Sequence, residues 1–217
     1  MTTAHSSESL ARKQRSATHL AQLNLPVDAD LPPLPDAWST LVRQPAAIAG
    51  RAICLCLCAA RAEGLEQATV ADLVVDLGAE RYLRPFEAAF LRGPADDEPL
   101  ARQFQWGYEA CHALLWALGQ VDVLPDPVAS CDPQRIASII TRAGSVDGLT
   151  GSVRGAEAIL DAADLTQRFL AVCRQAGPPY QDLPGGLICA VIYQRQHALQ
   201  WLLDPQRPHW EDIEVPL

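Results

Sequence analysis

Residues 104–119 read FQWGYEACHALLWALG (Phe104–Gly119), and the fold turns on this stretch. Wound at about 100° per residue, it places Trp106, Ala110, Ala113, Leu114, Ala117 and Leu118 on one face. Cys111 and Leu115 carry the apolar surface round the back, leaving only Gln105, Glu109 and His112 in a narrow polar sector. A helix with so little polar surface needs neighbours on nearly every side. The sequence is therefore read as all-α, a single helical domain of roughly seven or eight helices around this buried central one.

The flanking segments supply those neighbours. Residues 6–23 form a mildly basic helix with Leu10, Ala17, Leu20 and Ala21 on one side. The next stretch, LPVDADLPPLPDAW (Leu25–Trp38), has four prolines that end any helix and demand an extended course. Residues 1–40 thus read as an N-terminal helix with a proline-rich arm, and 41–217 as the helical domain. Pro45 opens a helix that runs to a stop at Gly64, Thr69 is positioned to cap the next, and Pro85 opens one ending at Gly93. PADDEP (Pro94–Pro99) reads as an acidic turn ahead of the central helix, where the helix dipole favours negative charge. A short helix is expected from Asp132 to Arg142, followed by GSVDGLTGS (Gly144–Ser152) as a flexible connection. Ser152 is placed to cap a long helix to about Gln175, and Gly186 begins a last helix that ends near Leu203. No strand alternation and no internal repeat stands out.

Composition narrows the function classes. The 217 residues can bury a sizeable core, and 49% hydrophobic with 20% charged content is an ordinary globular balance. A formal net charge of −9 argues against nucleic-acid and anionic-membrane partners, which need clustered positive charge. Lys13 is the sole lysine, so nearly all the positive charge is arginine, the residue suited to bidentate carboxylate pairing. Seven cysteines, six of them in apolar helical contexts, suit buried thiols in a reducing cytoplasm rather than a disulfide framework. The start of the chain offers no secretory signal, and the longest apolar runs fall short of the ~20 residues that span a bilayer. A soluble, cytoplasmic protein is expected.

Few residues stand out as carriers of chemistry. On the last helix Leu187, Ile188, Val191, Ala198, Leu199 and Leu202 form an apolar sector with Arg195 in its middle. Such an arginine either snorkels to the edge or meets a carboxylate, since an unpaired buried charge costs several kcal/mol. It can serve as half of a structural ion pair or as a ligand-binding group, with Glu109 and the acids of the long helix as candidate partners. On that long helix Arg154, Glu157, Asp161, Asp164 and Arg168 share one sector, with Asp164 and Arg168 at i,i+4. Such a stripe reads as a solvated face, or as one whose Asp161 or Asp164 turns inward toward Arg195. Trp106, Trp116 and Trp201 read as core, and Trp210 as the residue that pins the tail back.

Metal and nucleotide sites find no support at this level. Of Cys54, Cys56 and Cys58 only the first and last share a helical face, and neither paired CxxC motifs nor HxxxH occurs. Cys111 and His112 are adjacent, so on a helix they point about 100° apart and cannot act as nucleophile and base. The glycine-rich stretch from Gly144 to Gly155 lacks a GK[ST] ending and a preceding strand. No metal and no cofactor is expected.

Taken together, several stretches resemble the bacterial domain of unknown function 4272. They are VRQPAAIAGRAICL (Val42–Leu55), FEAAFL (Phe86–Leu91), WGYEACHALLWALG (Trp106–Gly119), RGAEAILDAADLTQR (Arg154–Arg168), VIYQRQHALQWLL (Val191–Leu203) and HWEDIEV (His209–Val215). They occur in the family's order from about residue 40 to the end. The resemblance implies an all-helical domain and brings no established activity. The family tends to read Glu-Arg-His where this chain has Gln194, Arg195 and Gln196, and often an arginine where Gly107 stands. If that glutamate or histidine is catalytic in relatives, this chain is impaired. Arg195, Glu109, Asp161 and Asp164 retain the pattern, as a buried network would.

Two functions follow as expectations. The first is a non-enzymatic interaction module of adaptor, accessory or immunity type, acting through a protein partner. The second is a small-molecule-binding or hydrolase-like protein with a pocket around Glu109, Asp161 and Arg195, with Asp164 and Arg168 beside it. Because only Arg195 sits in an apolar sector, Arg195→Met is expected to lower the melting temperature more than Arg168→Met.

Overall fold

The computed structural model describes residues 6–94 and 98–216. Among them are ten α-helices, four short 3-10 turns and no strand. The all-α reading holds, and the additional helices are short pieces that the sequence pattern does not reveal. The acidic turn expected at Pro94–Pro99 falls largely on residues 95–97, outside the described residues.

The helices fall into two compact units. One comprises residues 1–42, 125–130 and 154–217, and the other residues 43–124 and 131–153. In the second unit, α2 (Pro45–Ala62) packs along α6 (Gly107–Ala117). Twelve consecutive residues of α2, from Ile48 to Ala59, are buried, and so is every residue of α6. The continuous apolar surface therefore has the consequence expected of it. By length and composition α2 could cross a bilayer, yet 72% of its apolar window is buried inside the protein. Gly107 sets the approach of the two helices, since a Cβ there would lie 3.3 Å from the Leu55 carbonyl oxygen. An arginine at that position, as the resemblance expects, would need α6 further from α2.

Around this pair lie α3 (Gln67–Asp76), α4 (Pro85–Arg92), α5 (Glu98–Gln105), α7 (Pro133–Ala143) and α8 (Val146–Leu149). The helix expected from Phe104 onward is broken at Trp106, which separates α5 from α6. Phe104 at the end of α5 turns to Phe90 of α4, ring centroids 4.4 Å apart, and Trp106 is left 38% exposed rather than in the core. The cap of α3 is Glu66 rather than Thr69. The supposed flexible connection contains α8, whose Val146 and Leu149 are buried and whose Ser145 side chain accepts from the Gly148 N–H. Apolar anchors about one helical turn apart leave such a segment little freedom.

In the first unit, α1 (Ser7–Gln22) and α10 (Cys189–Leu203) both pack on the long α9 (Ala156–Ala176). Ser6 caps α1, accepting from the Ser9 N–H at 3.1 Å. Gly155 rather than Ser152 precedes α9, without a side-chain cap. The buried face of α1 is Ser9, Arg12, Ser16 and Leu20, while Leu10 is 48% exposed. The apolar stripe expected on this helix is thus displaced by a polar seam. At the other end of the chain Trp210 stacks on His197 at 4.4 Å and meets Trp201 edge-on at 5.4 Å, so the tail is pinned as expected.

Gly50 lies inside α2 with the Tyr82 ring directly over its Cα, so that an added Cβ would collide with the ring. Gly→Ala in a helix interior normally stabilises, but here Gly50→Ala is expected to cost about 1–3 kcal/mol through overpacking. In a Tyr82→Ala background the same change should become neutral or mildly stabilising. Urea denaturation of the four proteins checks this.

Candidate functional site

The charged stripe of α9 is only partly a solvated face: Glu157 is exposed, whereas Asp164 and Arg168 are buried and Asp161 is held by α1. Arg12 of α1, with no exposed surface, donates to Asp161 Oδ1 at 3.0 Å, to Glu8 Oε1 at 2.7 Å and to the Pro35 carbonyl at 2.8 Å. Arg15 adds a fork onto the same Asp161, at 2.7 and 2.9 Å. Glu8 also accepts from the Ala37 N–H at 2.9 Å, tying the proline-rich arm into the same cluster. Arg12 is therefore the point where α1, the arm and α9 are joined. One turn further on, Asp164 and Arg168 form a two-pronged pair at 2.8 and 3.0 Å and are 1% and 2% exposed.

Arg195 on α10 is 2% exposed, in keeping with its place in the apolar sector. Its Nη1 donates to the Pro125 carbonyl at 2.6 Å. Residues 125–130 are held by further bonds, from the Ile188 N–H to the Pro127 carbonyl at 2.8 Å and between His19 and Asp126 at 2.9 Å. The arginine thus acts as a clasp on a loop. Beside it in sequence, Gln196 is 1% exposed, and its Oε1 is buried without a hydrogen-bond partner among the described residues.

Gln196 lines a concavity of about 440 Å³ in the first unit. Leu34 and Leu41 of the arm, Leu160 of α9, Leu203 of α10 and Ile213 near the C-terminus form its apolar wall. Asp204, Arg207 and Glu214 also line it, with Arg207 paired to Asp204 at 3.2 Å. Beyond the wall, Trp38 is 83% exposed and Leu41 68% exposed. The Trp38 indole N–H donates to Asp36 Oδ2 at 3.2 Å, so the ring is held rather than loose.

The second unit holds two groups that matter. Arg51 of α2 and Glu87 of α4 form a buried ion pair, and Glu87 Oε2 also accepts from the Arg84 N–H at 2.9 Å. Burial by itself would push the Arg51 pKa down, and the adjoining carboxylate more than reverses that, so the guanidinium keeps its charge. Sequence reasoning passed over this pair. The signal was present: a lone arginine in AAIAGRAICLC is the same anomaly that drew attention to Arg195.

Glu109 on α6 is 2% exposed, and its Oε1 accepts from the Cys131 N–H. His112, three residues along the same helix, is 8% exposed. Ligand atoms of Glu109, His112 and Cys131 all lie within 4.8 Å of one another. The narrow polar sector of the central helix is therefore covered by the loop that carries Cys131. Cys131 differs from the other cysteines, which are buried while it is partly exposed. Burial pushes the thiols of Cys54, Cys56 and Cys173 up to about 12 and raises those of Cys58, Cys111 and Cys189 as well, so they stay protonated. Of the five site residues expected from sequence, Asp161, Asp164, Arg168 and Arg195 belong to the first unit and Glu109 to the second.

The family described as a domain of unknown function (DUF4272) matches residues 12–213 of the chain, and the chain belongs to that family. No curated protein and no solved structure matches it.

Both Arg168 and Arg195 are buried, so the expected difference between their Met variants loses its basis. Arg168→Met would leave the Asp164 carboxylate without its buried counter-ion and is expected to cost about 3–5 kcal/mol. The double variant Asp164→Asn/Arg168→Met should cost less than the sum of its parts. Thermal denaturation of the single and double variants measures both.

Proposed function

We propose that this DUF4272 protein is a non-enzymatic interaction module whose proline-rich arm engages a protein partner. The observation that carries this reading is Trp38, held by Asp36 yet 83% exposed, with Leu41 68% exposed three residues on. A rigid aromatic ring with so much of its surface in water is the residue type that dominates binding energy at protein interfaces. The neighbouring concavity, walled by Leu34, Leu41, Leu203 and Ile213, offers space for an apolar side chain of the partner. Charge indicates what flanks that side chain. Glu214 lines the concavity, Glu211 and Asp212 are exposed nearby in sequence, and the chain carries a net charge of −9. The partner is accordingly a protein segment with an apolar anchor beside lysine or arginine. Seven free cysteines are in keeping with a reducing cytoplasm as the site of action.

One observation favours a second reading, in which the concavity takes a small molecule. The buried Gln196 Oε1, which has no hydrogen-bond partner among the described residues, would be satisfied by an N–H or O–H donor on such a ligand. A hydrolytic role for Asp161 has less support, since Arg12 and Arg15 occupy its carboxylate.

Capture from native lysate with the wild type and with Trp38→Ser/Leu41→Ser separates the readings. The expected result is one stoichiometric protein retained by the wild type and lost by the variant, whose melting temperature is unchanged because both positions are exposed. That protein, purified, should bind the wild type with a salt-dependent affinity and not bind the variant. Equal capture by both proteins would overturn the proposal. Stabilisation of the wild type by a metabolite, lost in Gln196→Leu, would favour the small-molecule reading.

A further inference from the structure

Glu109, His112 and Cys131 bring oxygen, nitrogen and sulfur donors to one place in the second unit, and nothing in the family description assigns them a role. Glu109 and His112 are three residues apart on α6, so their side chains project from the same side of the helix about one turn apart. Cys131 comes from the loop just before Asp132, the cap of α7, and its N–H is bonded to Glu109 Oε1. That bond fixes the loop backbone against the helix and so places the thiol beside the carboxylate and the imidazole. We propose that Glu109, His112 and Cys131 form a three-ligand binding site for zinc.

The donor set selects the ion. Calcium and magnesium take oxygen ligands almost exclusively, whereas zinc accepts carboxylate, imidazole and thiolate in one tetrahedral shell. Zinc bonds are roughly 2.0–2.3 Å long, so tetrahedral ligand atoms sit roughly 3.3–3.8 Å apart. Donors already within 4.8 Å need only a small inward movement, chiefly of the Cys131 side chain on its loop. Charge also balances: binding releases the thiol proton to solvent, and one thiolate and one carboxylate neutralise the dication. A carboxylate has about four lone-pair sites, so Glu109 can keep the Cys131 N–H while binding the metal. Three protein ligands leave the fourth tetrahedral position to a water molecule. Cys131 is also the cysteine fit for the task, since each of the others is buried.

Cobalt(II) is the probe, because it takes zinc's place and reports thiolate ligation by a charge-transfer band. The full chain, stripped with a chelator under reducing conditions, is titrated with cobalt(II) and then with zinc. The expected result is a band that saturates at one equivalent of cobalt and is displaced by zinc. Cys131→Ser, at a partly exposed position, should fold normally and lose the band, while Cys189→Ser should keep it. His112→Ala should weaken binding by at least about tenfold, the lower end of what even an outer-shell change costs. Zinc should also protect Cys131 from alkylation in the wild type. Absence of the band in folded wild-type protein, or its persistence in Cys131→Ser, would overturn the site. Both outcomes are independent of partner binding through Trp38, which lies in the other unit.

Discussion

A guanidinium taken out of water must find acceptors in the protein, and this constraint organises much of the molecule. All but one of the 17 basic residues are arginine, and Arg12, Arg51, Arg168 and Arg195 are each 4% exposed or less. Each spans elements distant in sequence or locks one element internally. Arg12 gathers α1, the arm and α9; Arg51 links α2 to α4; Arg168 closes a turn of α9; Arg195 clasps residues 125–130. Hydrophobic burial is non-directional and would tolerate many arrangements of these helices. A buried arginine with carboxylate and carbonyl acceptors tolerates few, because an unmet charge is far more costly than a displaced leucine.

The same reasoning separates structure from function among the polar residues. Asp161, Asp164 and Arg195 are engaged by partners that explain their presence: Asp161 and Arg195 tie segments together, and Asp164 closes a turn of α9. Glu109 differs. Its neighbours include an imidazole and a thiol, both of which bind transition metals, and the thiol belongs to the least buried cysteine of the chain. A purely structural carboxylate in an apolar helix pair needs a donor, which the Cys131 N–H supplies, but it has no need of two further metal-binding side chains beside it.

The proline-rich arm joins these themes. Glu8, through Arg12 and the Ala37 N–H, and Asp36, through the Trp38 indole, fix its course in a segment whose prolines cannot supply backbone donors. A constrained backbone with an exposed aromatic ring lowers the ordering entropy lost on binding. The arm is therefore an anchored surface, although its sequence alone resembles a loose linker.

What the sequence by itself determined follows from periodicity and punctuation. The largely apolar surface of Gly107–Ala117, the proline starts of α2 and α4 and the short helix that follows Asp132 were legible because they are local properties of the chain. So was the oddity of Arg195 in an apolar sector. What only the tertiary structure decided concerns partners brought from far away. The α9 stripe reads as a solvated face or as one turned toward Arg195, whereas the groups that engage Asp161 are Arg12 and Arg15, 146 residues or more distant. Phe104, just before the break at Trp106, packs on the distant Phe90, and Cys131 reaches Glu109 across 22 residues that include a loop of aspartates and prolines. Helical periodicity fixes which side chains share a face. It holds no information on which distant segment covers that face, because that choice is made by the packing of whole helices and by the buried charges that must be met.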